Sequence, residues 1–174
     1  MDRMQIVDST TITLFSNLLF KGVGRHPKTG KKKGGIKVHT VIHANEGVPS
    51  DISFTSAATN DSFMLKPSRL SNGDIIALDR AYLAYTKFEE LTQRGVIYVT
   101  KMKKSLNYSI LNDMMYQTPD GLMEVRIQNV TFSKHTKNED ILHNARILTH
   151  VDVKKRKYYC PLNMTMLSQP SQKE

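Results

Sequence analysis

A single cysteine, Cys160, occurs in 174 residues. No internal disulfide can form, and zinc sites built on paired cysteines are excluded. Such a chain suits a reducing compartment, and a cytoplasmic location is expected. No run of about 18 apolar residues exists, so no membrane-spanning helix is expected. Met1 to Asp8 lacks the apolar core of a secretory signal. No internal repeat is visible. Acidic residues are also few. Asp and Glu number 16 against 25 Lys and Arg, a formal net charge of +9. This surplus favours polyanions, because each phosphate contact releases condensed counterions. Anionic membranes and basic tails fit the charge as well, but nucleic acid is the expected partner.

The length suits one domain of ordinary size. A hydrophobic fraction of 39% and a charged fraction of 24% are compatible with a real, modest core. Gln5 to Asp8 reads as a buried strand. Lys21 to Gly35 carries Lys21, Arg25, His26, Lys28, Lys31, Lys32 and Lys33 among glycines and a proline, with no acidic residue. It reads as an exposed loop able to track phosphates. Ile36 to Ala44 alternates, with Lys37 and His39 on one face. Asn45-Glu46-Gly47 is a hairpin turn, and Val48 to Thr55 returns as a strand edged by Pro49. Thr59 to Ser62 offers N-caps for a short helix over Phe63 to Leu70, interrupted by Pro67.

Asp74 to Asp79 holds an apolar run that reads as a buried parallel strand. Tyr85 to Arg94 has Phe88 and Leu91 at helical spacing, with Gly95 as a stop. Val96 to Thr100 is strand-like again, which completes a βαβ unit. Beyond Lys104 the pattern changes. Tyr108 to Leu111, Met123 to Phe132, Ala145 to Val153 and Lys157 to Cys160 read as antiparallel strands joined by turns such as Pro119-Asp120-Gly121. The expected organisation is a core portion over 1–104, a β-rich insertion over 105–160 and an uncommitted tail over 161–174.

Two aspartates stand out. Asp8 and Asp79 each close an expected strand, where α/β sheets gather ligand groups. Together they could share a divalent ion, and their hard oxygens suit magnesium or manganese. Aspartates are also common at strand ends as caps and turn formers.

The surrounding residues carry a resemblance. Ile6-Val7-Asp8-Ser9-Thr10, Gly35 to His39, Leu78-Asp79-Arg80-Ala81-Tyr82, Phe88 to Leu91 and Gly95 to Thr100 together resemble DDE transposases of the IS-four group of bacterial insertion sequences. The resemblance implies an α/β, RNase H-like mixed sheet with flanking helices and an antiparallel β-rich insertion. It implies Asp8 and Asp79 as catalytic, metal-holding residues for Mg2+ or Mn2+. It implies double-stranded DNA, both element ends and target, as partner, a bacterial cytoplasm as location, and room for a homo-oligomer. Lys37, His39, Arg80 and Tyr82 would lie at the active site or the DNA backbone, together with the cations of the Lys21–Lys33 loop. The alternative for Lys37 and His39 is a solvated strand face, and for Tyr82 simple packing with a polar tip.

One part of the family pattern is missing. The third carboxylate belongs to a Tyr-X2-Arg-X3-Glu-X6-Lys stretch on a helix, and no such stretch occurs. Glu124, Glu139 and Glu174 lack those neighbours. The expectation is a chain truncated at both ends, without the terminal catalytic helix, with weak metal binding and little activity alone. Two other readings remain: a non-catalytic DNA-binding fragment, or another RNase H-fold nuclease in which Glu139 or Asp152 supplies the third ligand.

Overall fold

The computed structural model describes residues 4–13, 24–25, 34–103, 105–119, 121, 123–135, 140–152 and 164–168, with backbone alone at 24–25, 34, 151–152 and 164–168. The Lys157–Cys160 strand expectation lies outside the described residues.

The β-branched run of β1 (Met4–Thr13) favours extended backbone, so the strand runs past Asp8 instead of closing there, and of the expected buried stretch Gln5 to Asp8 only Val7 is buried. This strand pairs antiparallel with β3 (Gly34–His43), with Asp8 opposite Thr40 and Ser9 opposite His39. A short strand, β2 (Gly24–Arg25), joins β3 at Gly34 and Gly35. Further along, β3 pairs with β4 (Val48–Ser56) through a turn in which Gly47 takes a φ of 66°. Pro49 lies beside a bulge in this hairpin, where its missing N–H breaks no regular ladder.

On the other side of β1 lies β5 (Ile75–Leu78), parallel to it, and then β6 (Ile97–Lys101), parallel to β5. The helix α1 (Tyr85–Gln93) connects these two strands. This is the expected βαβ unit. The helix buries Tyr85, Phe88 and Leu91, which recur at three-residue spacing on one face.

The β-rich region forms long antiparallel strands: β7 (Tyr108–Gln117), β8 (Met123–His135) and β9 (Asp140–Asp152). All three extend beyond their expected limits. A fourth strand, β10 (Met164–Ser168), lies in the expected uncommitted tail. It pairs with β6 on one edge and β9 on the other. The described strands therefore form one continuous sheet in the order β2-β3-β1-β5-β6-β10-β9-β8-β7, with β4 also on β3. The fold is the implied mixed α/β arrangement, with few helices.

The expected helix over Phe63 to Leu70 is replaced by two 3-10 turns, Asp61–Met64 and Pro67–Arg69. Pro67 lacks an N–H and pushes the residue before it away from helical backbone. Lys66 accordingly sits at φ −116° and ψ 87°.

The core occupies one face of the sheet. Val7, Ile76, Leu78 and Tyr98 join Leu65, Leu70, Phe88, Leu91, Phe132 and Ile147 in a single cluster. Strand alternation puts Ile6, Ile97 and Phe54 on the opposite, exposed face. Asp8 shares that face.

Gly95 ends α1 with φ +71°, and an added Cβ would strike the Asn72 side-chain oxygen. The nearby backbone is already committed, since Gly73 donates to the Gly95 carbonyl at 3.0 Å. We expect Gly95→Ala to cost about 1–2 kcal/mol from the left-handed backbone alone. A lower urea midpoint at unchanged slope would register it. An unshifted midpoint would refute the strain.

Candidate active site across the parallel strands

The parallel register aligns Val7 with Leu78 and Leu78 with Thr100. The next residues, Asp8, Asp79 and Lys101, therefore follow one another across the sheet: Asp8 lies within β1, just past the last residue paired with β5, Asp79 follows β5, and Lys101 ends β6. Adjacent strands lie about 4.8 Å apart. All three residues are exposed, and they line one open cavity with Ile6, Val7, Ala77, Leu78, Val99 and Thr100. An Asp8 Oδ1 accepts the N–H of Ser9 at 2.8 Å, and an Asp79 Oδ2 accepts that of Ala81 at 3.3 Å. Asp79 thereby caps the 3-10 turn Arg80–Tyr82. Each carboxylate has further acceptor sites, so the donor set suits a hard divalent ion. Among the described residues no three His, Cys, Asp or Glu gather as a metal cluster.

A second set of side chains lies on the core face, directly behind these carboxylates. Lys37 and His39 are buried, at 8% and 3% exposure. This excludes the solvated strand face. The Lys37 ammonium lies 3.1 Å from Asp61 and donates to the Thr59 carbonyl at 2.8 Å. The two ring nitrogens of His39 meet the Tyr82 hydroxyl at 3.0 Å and the Thr55 hydroxyl at 2.8 Å. Burial lowers the His39 pKa; the Asp61 charge opposes this and the Lys37 charge adds to it. Neutral His39 thus donates from one nitrogen and accepts at the other. Ser9 donates its hydroxyl to Asp61 at 3.0 Å.

Tyr82 is fully buried. Burial pushes its hydroxyl up to about 12, against the pull of a bond with Ser9; the charges of Asp61, Asp8 and Asp79 reinforce the rise. The phenol therefore stays protonated and feels all three carboxylates.

Arg80 is exposed beside Asp79. Lys21, Lys28, Lys31, Lys32 and Lys33 lie outside the described residues, as does Glu139; Arg25 and Asp152 are described in backbone only. Sequence reasoning missed Asp61, which stood out only as one of four neighbouring cap candidates. The cap is Asn60, whose side chain accepts from Ser62. The one available signal was an acidic residue following two buried-strand cations, and it is not a local one.

No helix among the described residues is long and apolar enough to cross a membrane. No curated protein matches the chain. Among solved structures, a cryo-EM structure of the piggyBac transposase synaptic complex with hairpin DNA is similar at 12% identity and a TM-score of 0.41. The similarity covers 98% of this chain and 34% of that one, so this chain spans about a third of that protein's length. Residues 1–169 match the model of the transposase DDE domain. The chain belongs to the transposase DDE domain family.

Proposed function

We propose that Asp8 and Asp79 hold divalent metal, Mg2+ or Mn2+, for DNA strand cleavage and transfer in an IS-four type transposase. The supporting observation is the parallel register, whose last pair, Val7 with Leu78, is followed on each strand by one of the two aspartates. DDE transposase domains use divalent metals. A bound ion of this kind activates a water or hydroxyl and stabilises the leaving oxygen. The protein's own part is to fix the two carboxylates and to admit the phosphodiester from the open side of the cavity.

DNA is the proposed partner. Arg80 and Lys101 are the exposed cations beside the site, and the Lys21–Lys33 loop would extend the contact along the backbone. Lys37, His39 and Tyr82 serve DNA from within, by holding the strands that carry the carboxylates. The sequence lacks the family's third acidic pattern, and a looser site can lose on the order of a hundredfold in rate. We therefore propose weak metal binding and little strand transfer by this polypeptide alone.

Calorimetric titration with Mn2+ tests the reading. The intact chain should bind saturably, and Asp8→Asn/Asp79→Asn should weaken binding at least about tenfold, or about 1.4 kcal/mol. Equal binding by both chains would refute the paired site. Salt-dependent DNA binding that persists without any metal binding would favour a non-catalytic DNA-binding role instead.

A further inference from the structure

We infer that Asp61 is a positioning residue that sets the spacing of Asp8 and Asp79 from the opposite face of the sheet, acting through Ser9 and Tyr82. The inference rests on the paired-aspartate reading above and adds a residue outside the stretches that carry the resemblance.

The geometry is specific. Alternation along β1 turns Asp8 to the exposed face and Ser9 to the core face. Ser9 is thus the nearest inward handle on the first carboxylate, and it donates to Asp61 at 3.0 Å. Tyr82 is the corresponding handle on the second. It closes the 3-10 turn that Asp79 caps, and its hydroxyl meets His39 at 3.0 Å. Behind them, Asp61 takes the Lys37 ammonium at 3.1 Å and lies 3.7 Å from His39 Nδ1. One carboxylate therefore ties β1 and β3 together on the core side and adjoins the Asp79 turn by way of His39, whose Nδ1 meets the Tyr82 hydroxyl. Asp61 is itself held at the first position of a 3-10 turn capped by Asn60.

A simple structural ion pair would need only Lys37 and Asp61. The additional bond from Ser9, which adjoins Asp8, extends that pair to the site. Buried hydrogen-bonded networks fix geometry as units, so their members respond non-additively to mutation.

The experiment is a double-mutant cycle on Mn2+ affinity in the full chain, with thermal melting alongside. Asp61→Asn and Ser9→Ala should each weaken Mn2+ binding about three- to tenfold. The pair together should weaken it no more than the stronger single change. Tyr82→Phe keeps the buried ring and removes only the hydroxyl; it should weaken binding by a similar factor while the chain still melts cooperatively. Should Asp61→Asn fail to fold, Ser9→Ala and Tyr82→Phe carry the test, and unchanged affinity in both overturns the proposal. Multiplying losses in the cycle, or wild-type affinity in Asp61→Asn, also overturn it. If Asp8→Asn/Asp79→Asn binds Mn2+ like the intact chain, the paired site itself falls and this proposal falls with it. If that control loses binding while Asp61→Asn does not, only the positioning role falls.

Discussion

Phe88→Ala is expected to cost about 3–5 kcal/mol of stability, the range for truncating a well-packed buried aromatic. Phe88 is fully buried in the middle of α1. Its ring stacks on Tyr98 of β6 with centroids 4.4 Å apart and meets His143 of β9 edge-on at 6.2 Å. One side chain thus clamps the helix to both the parallel strands and the antiparallel region. Little in this neighbourhood can collapse into the gap, because Leu91, Val96 and Ile147 are already fully packed. Urea unfolding followed by circular dichroism checks the value: the midpoint should drop sharply at unchanged slope. Phe88→Leu should lose less, since it retains more of the volume. A midpoint within error of the native chain would mean that α1 does not pack as described.

The consequence reaches the carboxylates. The helix connects β5 to β6, so its seating fixes the two strands whose ends carry Asp79 and Lys101. Stability and site geometry share this element. Phe88→Ala should therefore also weaken Mn2+ binding, although Phe88 touches neither aspartate.

The parts of this fold that can be read locally are those whose cause is local. The run before Asp79 and the spacing of Phe88 and Leu91 ahead of Gly95 each announce one element and its end, whereas the run before Asp8 announces β1 but not its end, since pairing with β3 carries the strand on to Thr13. The adjacency of Asp8 and Asp79 then follows from parallel pairing of the two runs that precede them. Other features have non-local causes. Met164–Ser168 becomes a strand because β6 and β9 each offer it an edge, and nothing within those five residues requires it. Lys37 reads as a solvent-facing cation in an alternating strand. It is buried because Asp61 arrives later in the chain to neutralise it. The His143 contacts are similarly remote, 45 residues from Tyr98 and 54 from Glu89. Alternation could show only that His143 lies on a strand, not which face is covered or by what. The 3-10 turns around Pro67 are an intermediate case. The proline announces an interruption, but the choice between a broken helix and two separate turns depends on Leu65 and Leu70 being drawn into the core.

Acidification should destabilise the chain below about pH 6.5, and His143 should account for much of the loss. His143 is fully buried between α1, β6 and β9. Its Nδ1 lies 2.9 Å from the Glu89 carboxylate and its Nε2 lies 2.5 Å from the Tyr98 hydroxyl. Burial lowers the His143 pKa, and the bond and charge of Glu89 only partly offset this. The ring is therefore neutral near pH 7, with Nδ1–H donating to Glu89 and Nε2 accepting from Tyr98. Burial also raises the Tyr98 pKa, which keeps that hydroxyl a donor. A proton added at Nε2 would face the Tyr98 O–H and abolish the acceptor. The unfolded histidine titrates near about 6.5, above the folded value, so the unfolded chain takes up the proton first. The stabilising contribution is thus complete above about pH 6.5 and is lost as pH falls toward the folded pKa. Each such histidine steepens the loss by at most about 1.4 kcal/mol per pH unit. His39, whose pKa is also lowered by burial, adds to the same window. The measurement is urea stability at pH 7 and pH 5.5. His143→Phe alone should lose about 1–3 kcal/mol at pH 7, because it leaves the Tyr98 hydroxyl buried without an acceptor. Adding Tyr98→Phe should recover much of that loss and leave a shallower pH dependence than the native chain. An unchanged slope in the double variant would show that His143 takes up no proton on unfolding. The link between the antiparallel region and α1 would then be held by packing against Tyr85 and Phe132 rather than by this hydrogen-bonded relay.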